Sequence, residues 1–97
     1  MKKITPKDID DLYKAILSLD EIKEAKAFFR DLLTEGEITE FAERWKVARM
    51  IAAGIPYTTI IEQTGLSSTT VARVARWVKK GTGGYRLMLK KIDTISP

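Results

Sequence analysis

Cysteine and histidine are both absent from the sequence. Their absence excludes disulfides, zinc sites of the Cys/His kind, thiol nucleophiles and imidazole acid–base chemistry. No apolar run approaches the ~18 residues of a membrane span, and the start, MKKITPKDIDDLYK, has no apolar signal core. No strand candidate, internal repeat or low-complexity segment is visible. Acidic residues are also missing where it matters most. Between Ser67 and Lys80 there is none, and residues 44–97 hold 10 Lys/Arg against 2 Asp/Glu, net +8. Residues 1–43 hold 7 Lys/Arg against 11 Asp/Glu, net −4, so the whole chain carries +4. A basic half points to a polyanionic partner on that side. Its 97 residues suggest a single domain over 1–97, small enough to gain from a second copy. A reducing, cytoplasmic setting agrees with the lack of thiols.

What is present reads as helix throughout. Thr5 and Pro6 look like an N-cap and a first helical position, with Ile9, Leu12, Tyr13, Ile16 and Leu17 as the apolar stripe of a first helix. Ser18 to Asp20 breaks it. Either Asp20 or a Ser18–Glu21 capping box starts the second helix, whose face is Ile22, Ala25, Phe28, Phe29, Leu32 and Leu33. Thr34 and Glu37 form a further capping-box signature. The third helix then runs to about Ala53. Ile38, Phe41, Ala42, Trp45, Ala48 and Ala52 make its stripe, with Val47, Met50 and Ile51 off it. A helix apolar on nearly all sides needs cover on all sides, which predicts a homodimer with this helix near its centre. Gly54 and Pro56 stop it. Tyr85, Met88, Leu89 and Ile92 mark a last helix after the Gly81–Gly84 joint. Residues 1–4 and 93–97 are expected to be loose ends.

Residues 57–80, YTTIIEQTGLSSTTVARVARWVKK, read as a helix-turn-helix. Gly65 supplies the turn, and Ser67 or Ser68 caps the second helix. Val71, Val74, Ala75 and Val78 recur at helical spacing, and Leu66, Val71 and Val74 lock onto Ile60. Ile61 and Thr64 depart from the usual pattern, which favours a small and an apolar residue there. Opposite the apolar stripe lie Thr69, Arg73, Arg76 and Lys80. Recognition helices enter the major groove N-terminus first. Ser67, Ser68, Thr69 and Thr70 would then meet base edges or phosphates, Arg73 and Arg76 would read guanine or hold phosphate, and Lys79 and Lys80 would reach backbone. Trp77 reads as packing at a domain or dimer surface. Arg44 and Arg49 are candidate basic rim residues.

The chain resembles the Trp repressor family, and more closely its YerC/YecD-type branch. The likeness is carried by Leu32-Leu33-Thr34-Glu35-Gly36-Glu37, by Arg44-Trp45-Lys46-Val47-Ala48-Arg49, by Gly54, and by the helix-turn-helix through Arg73. It implies an all-α, six-helix Trp-repressor-like fold in an intertwined homodimer, and a DNA-binding transcriptional regulator. It also implies an effector pocket, with Leu33, Thr34, Arg44 and Arg73 at the positions that hold tryptophan in Trp repressor. Here Val74 follows Arg73 where a glycine stands in that protein, and its β-branched side chain would take the ligand's room. Tryptophan is therefore not the expected effector. Arg44 and Arg73 would bind another anion, pair with acidic neighbours such as Glu37 or Glu40, or serve DNA. Thr58, Thr59 and Glu62 stand where the family has phosphate-binding basic residues. The expected partners are double-stranded DNA and a second copy, with no cofactor, metal or membrane. An alternative is a helical protein–protein interaction module that does not bind DNA. An enzymatic reading has no residue set to support it.

Overall fold

The computed structural model describes residues 3–95, with side chains to Asp93. Among them are six helices and no strand: α1 (Pro6–Leu17), α2 (Ile22–Leu32), α3 (Glu35–Ala52), α4 (Tyr57–Thr64), α5 (Ser68–Lys80) and α6 (Gly84–Ile95). Of the expected loose ends, residues 1, 2, 96 and 97 lie outside the described residues. Asp93 does not begin a tail, because α6 continues to Ile95.

Local chemistry sets the helix boundaries. Thr5 Oγ1 accepts from the Asp8 amide at 3.3 Å, and Asp8 Oδ2 accepts from the Thr5 amide at 2.9 Å. This reciprocal pair satisfies two amides at an end where α-helices leave four without intrahelical partners. The Thr5 amide, and then the Thr5 hydroxyl, hold the Asp8 carboxyl below the usual carboxylate range. At α3, Thr34 Oγ1 accepts from the Glu37 amide at 3.1 Å while Glu37 Oε1 accepts from the Thr34 amide at 2.9 Å. At α2 neither sequence option holds. Glu21 is the N-cap, and Glu24 Oε1 accepts from the amides of Asp20 at 2.8 Å and Glu21 at 3.3 Å. Ser18 instead closes α1, its hydroxyl donating to the Ala15 carbonyl. Past α3, Gly54 takes φ +79° and the Ile55 amide returns to the Met50 carbonyl at 3.1 Å. That is a left-handed helix stop of the kind glycine permits.

The chain divides into two compact units, one up to Ile38 and one from Thr39 onward. In the first, α1 and α2 carry no buried side chain. The α1 stripe expected to pack is present, but Ile9, Leu12, Tyr13 and Leu17 are all exposed, Leu17 by 82%. Phe28 and Phe29 are half-buried, with ring centroids 5.6 Å apart.

The second unit holds the core. Val47, Ala48 and Met50 of α3, Ile60 of α4, and Val71, Val74 and Ala75 of α5 are buried. Trp45, Ile51, Ile55, Ile61, Leu66, Val78 and Tyr85 pack around them. The core takes α3 residues from both on and off the expected stripe: Ala48, on it, is fully buried and Trp45 packs against the core. Val47 and Met50, placed off the stripe, face inward, while Phe41, Ala42 and Ala52, placed on it, are exposed. Periodicity could not choose a face on a helix apolar nearly all round. Tyr85 stacks on Trp45, with centroids 6.4 Å apart and planes 12° from parallel, and so ties α6 to α3.

Candidate nucleic-acid interface

The helix-turn-helix expected over 57–80 is present as α4, a short turn and α5. Gly65 caps α4 at φ +73°, where its amide donates to the Ile61 carbonyl at 2.9 Å. Thr64, polar where an apolar residue is common, is satisfied locally. Its hydroxyl donates to the Ile60 carbonyl at 2.7 Å and accepts from the Leu66 amide at 3.2 Å. A half-buried hydroxyl with both functions used can sit against a core without a desolvation penalty. Ile60, Val71 and Val74 form the packed seam between the helices, with Leu66 against it.

The N-cap of α5 is Ser67. Its Oγ accepts from the Thr70 amide at 3.1 Å and lies 3.0 Å from Thr70 Oγ1. Thus Ser67 and Thr70 are engaged with each other, and Thr70 is half-buried. Ser68 and Thr69 are exposed. Thr69, Arg73, Arg76 and Lys80 come together as expected: with Ala72 and Trp77 they line one open groove of about 680 Å³. This basic, hydroxyl-bearing face is opposite the buried Val71, Val74 and Ala75. One helix therefore carries a core face and, roughly opposite it, a cationic face.

A second cavity, of about 560 Å³, lies on the flank of α5. Arg44 and Arg73 both line it, with Glu40, Glu43, Leu66, Thr70, Val74, Trp77 and Tyr85. Arg44 is paired with Glu40 at 3.6 Å and sits 5.8 Å from the Phe41 ring centroid. Glu37, in the first unit, is engaged with Thr34 at the start of α3. Arg73 makes no ion pair among the described residues and borders both the groove and the cavity. Val74 is 3% exposed, at once a cavity wall and a member of the core. Leu33 and Thr34 belong to the first unit, where Leu33 ends α2 and the Thr34 hydroxyl caps α3.

Trp77 lies at the surface of the single chain. It is 54% exposed and borders the groove, the flank cavity and an apolar hollow of about 420 Å³ shared with Trp45, Tyr85 and Met88. Lys79, expected to reach the DNA backbone, also meets a side chain of α4. Its Nζ donates to the Tyr57 hydroxyl at 3.2 Å and lies 5.7 Å from that ring's centroid. Sequence reading missed Tyr57, since a contact across 22 residues leaves no periodic signal. No described helix is long and apolar enough to cross a membrane.

Comparison with known proteins agrees with this architecture. The sequence model described as Trp repressor protein matches residues 7–93. The uncharacterised protein YerC of Bacillus subtilis (strain 168) is 39% identical over 90 residues, spanning 93% of this chain and 86% of its own length. A solved TrpR-like protein from Eubacterium eligens ATCC 27750 superposes with a TM-score of 0.87 at 33% identity, covering 96% of both chains. A solved structure from Staphylococcus aureus does so at 0.86 and 34% identity, covering 96% of this chain and 93% of that one. The six-helix order, the helix-turn-helix and these matches along nearly the whole length lead to one conclusion: the chain belongs to the Trp repressor family.

Proposed function

We propose that the protein is a homodimeric, sequence-specific DNA-binding transcriptional regulator, acting as a repressor in the cytoplasm. The observation that carries this reading is the placement of Thr69, Arg73, Arg76 and Lys80 along one groove, on the side of α5 opposite its buried stripe. In this reading α5 enters the major groove N-terminus first. Ser68 and Thr69 lead, Arg73 and Arg76 follow, and Lys80 reaches the backbone. Ser67 and Thr70 act one step removed, by shaping the start of the helix. A second copy covers the apolar residues that α1, α2 and Phe41 leave exposed, and it sets two recognition helices about one helical turn of DNA apart. Tryptophan is not the effector in this proposal, because Val74 fills the wall beside Arg73.

Selection of genomic fragments at fixed salt, with sedimentation of the free protein, tests the reading. The expected result is a dimer and a shared, near-palindromic element whose half-sites lie ~34 Å apart. Binding should fall steeply as salt rises. Recovery of no fragment, together with a protein partner in pull-down, would favour an interaction module instead.

A further inference from the structure

Helix α4, YTTIIEQT, contains no lysine or arginine. The first helix of such a motif crosses the DNA backbone, where positive charge is wanted. The structure supplies one charge from the other helix. Lys79, in the last turn of α5, reaches back to Tyr57 at the start of α4. Its ammonium donates to the phenolic oxygen at 3.2 Å and stands over the ring at 5.7 Å. Both residues are exposed, Tyr57 by 40%, and Lys79 forms no ion pair with a carboxylate among the described residues.

The direction of the hydrogen bond decides what the pair can do. Lysine only donates, so the phenol oxygen is the acceptor and its own O–H is left free. The ammonium keeps two further N–H groups. Side by side they offer only donors and one positive charge, a match for a phosphate oxygen. Their position fits as well. Lys79 is one residue, about 100°, round the helix from Lys80 of the reading face, on the flank toward α4. Tyrosine hydroxyls are among the groups that hold phosphates and fix register on a duplex.

We propose that Tyr57 is a DNA-backbone contact, its hydroxyl donating to a phosphate oxygen beside the Lys79 ammonium, so that the two form one phosphate site across both helices of the motif. The proposal rests on the DNA-binding reading above. A phosphate site is blind to sequence, so a mixed-sequence duplex of about 30 base pairs is a sufficient probe, titrated at several salt concentrations. Tyr57→Phe keeps the ring and the ring–ammonium contact and removes only the hydroxyl. It should weaken binding about three- to tenfold. The slope of log affinity against log salt should not change, because no charge is lost. Lys79→Ala should lower that slope by about 0.9. In the Lys79→Ala background, Tyr57→Phe should still weaken binding, since the hydroxyl contacts the phosphate itself. Thermal unfolding of each variant checks that the fold is kept. If Tyr57→Phe binds like wild type, the proposal is overturned and the DNA-binding reading stands. If its effect vanishes without Lys79, Tyr57 merely positions the lysine and the contact is overturned. If the wild-type protein binds no duplex at low salt, the DNA-binding reading itself fails.

Discussion

Arg86 of α6 donates from Nε to the Val78 carbonyl of α5 at 3.0 Å, and its Nη2 donates to the Lys79 carbonyl. The last four carbonyls of a helix lack intrahelical donors, and a guanidinium is a planar fork of donors that can serve two of them. A single side chain thus finishes α5 and moors α6 to it. Arg86→Ala should lower unfolding stability by about 1–2 kcal/mol and Arg86→Lys by less, since lysine keeps the charge but not the fork. Chemical denaturation measures the difference, and loss of amide protection confined to the end of α5 and to α6 would locate it. Equal loss in both variants would show that the fork is not what matters.

Ile60 is fully buried at the seam between α4 and α5. Ile60→Ala should destabilise by about 2–5 kcal/mol, a transfer term plus a cavity term. Denaturant midpoints report it. A smaller loss would mean that Val71 and Val74 collapse into the space.

Gly65 holds φ +73°, and a methyl group built there meets nothing within 4 Å. Any penalty for Gly65→Ala is therefore one of backbone conformation, about 1–2 kcal/mol. Gly65→Asn should lose less, since asparagine tolerates the left-handed region. If alanine and asparagine prove equal, the turn has shifted to another conformation.

Arg73 and Arg76 share the groove but differ in setting, since Arg73 also borders the flank cavity. Replacement of either by alanine should weaken operator binding. A base-reading arginine loses about 1–3 kcal/mol and relaxes preference at one position. A phosphate-holding one weakens all duplexes alike and lowers the salt slope by about 0.9. Affinities across single-base operator variants separate the two roles.

Asp8 offers a test by pH. Its carboxyl is held below the ordinary value of 3.8 by bonds from Thr5. A depressed carboxylate contributes stability that is fully present above its unfolded value and is lost as pH falls through the folded one. The start of α1 should therefore loosen on acidification below about pH 4. The Thr5 and Asp8 amide resonances should follow that titration, and in Asp8→Asn the Thr5 amide should show no such step.

The helix boundaries were the most legible part of this fold, because caps and stops are chemistry between near neighbours. Thr5, the Thr34–Glu37 pair, Gly54 and Gly65 all sit where the sequence puts them. The start of α2 departs from the sequence reading because its N-cap is Glu21, a residue type outside the favoured caps, with Glu24 accepting from the Asp20 and Glu21 amides. The inward side of α3 is legible only in part because apolar residues surround it: Ala48 and Trp45 of the expected stripe meet the core, but so do Val47 and Met50. On α5, charge and apolarity separate cleanly, so Thr69, Arg73, Arg76 and Lys80 could be placed on one face, whereas Ala72 and Trp77, which also line the groove, gave no such signal. What stayed hidden were meetings between distant residues: Tyr57 with Lys79, and Arg86 with the end of α5. Pattern within one helix carries no information about those.

The separation of the two faces of α5 has an evolutionary corollary. Thr69, Ala72, Arg73, Arg76 and Lys80 border open solvent, while Val71, Val74 and Ala75 hold the mount. Exchanges on the first set should leave folding nearly untouched, because exposed substitutions away from caps and packing usually change stability by less than about 0.5 kcal/mol. The helix is in effect a replaceable key blank on a fixed bow. If the proposed reading face is right, descendants of this chain can change what they bind by recutting those teeth, without passing through an unfolded intermediate sequence.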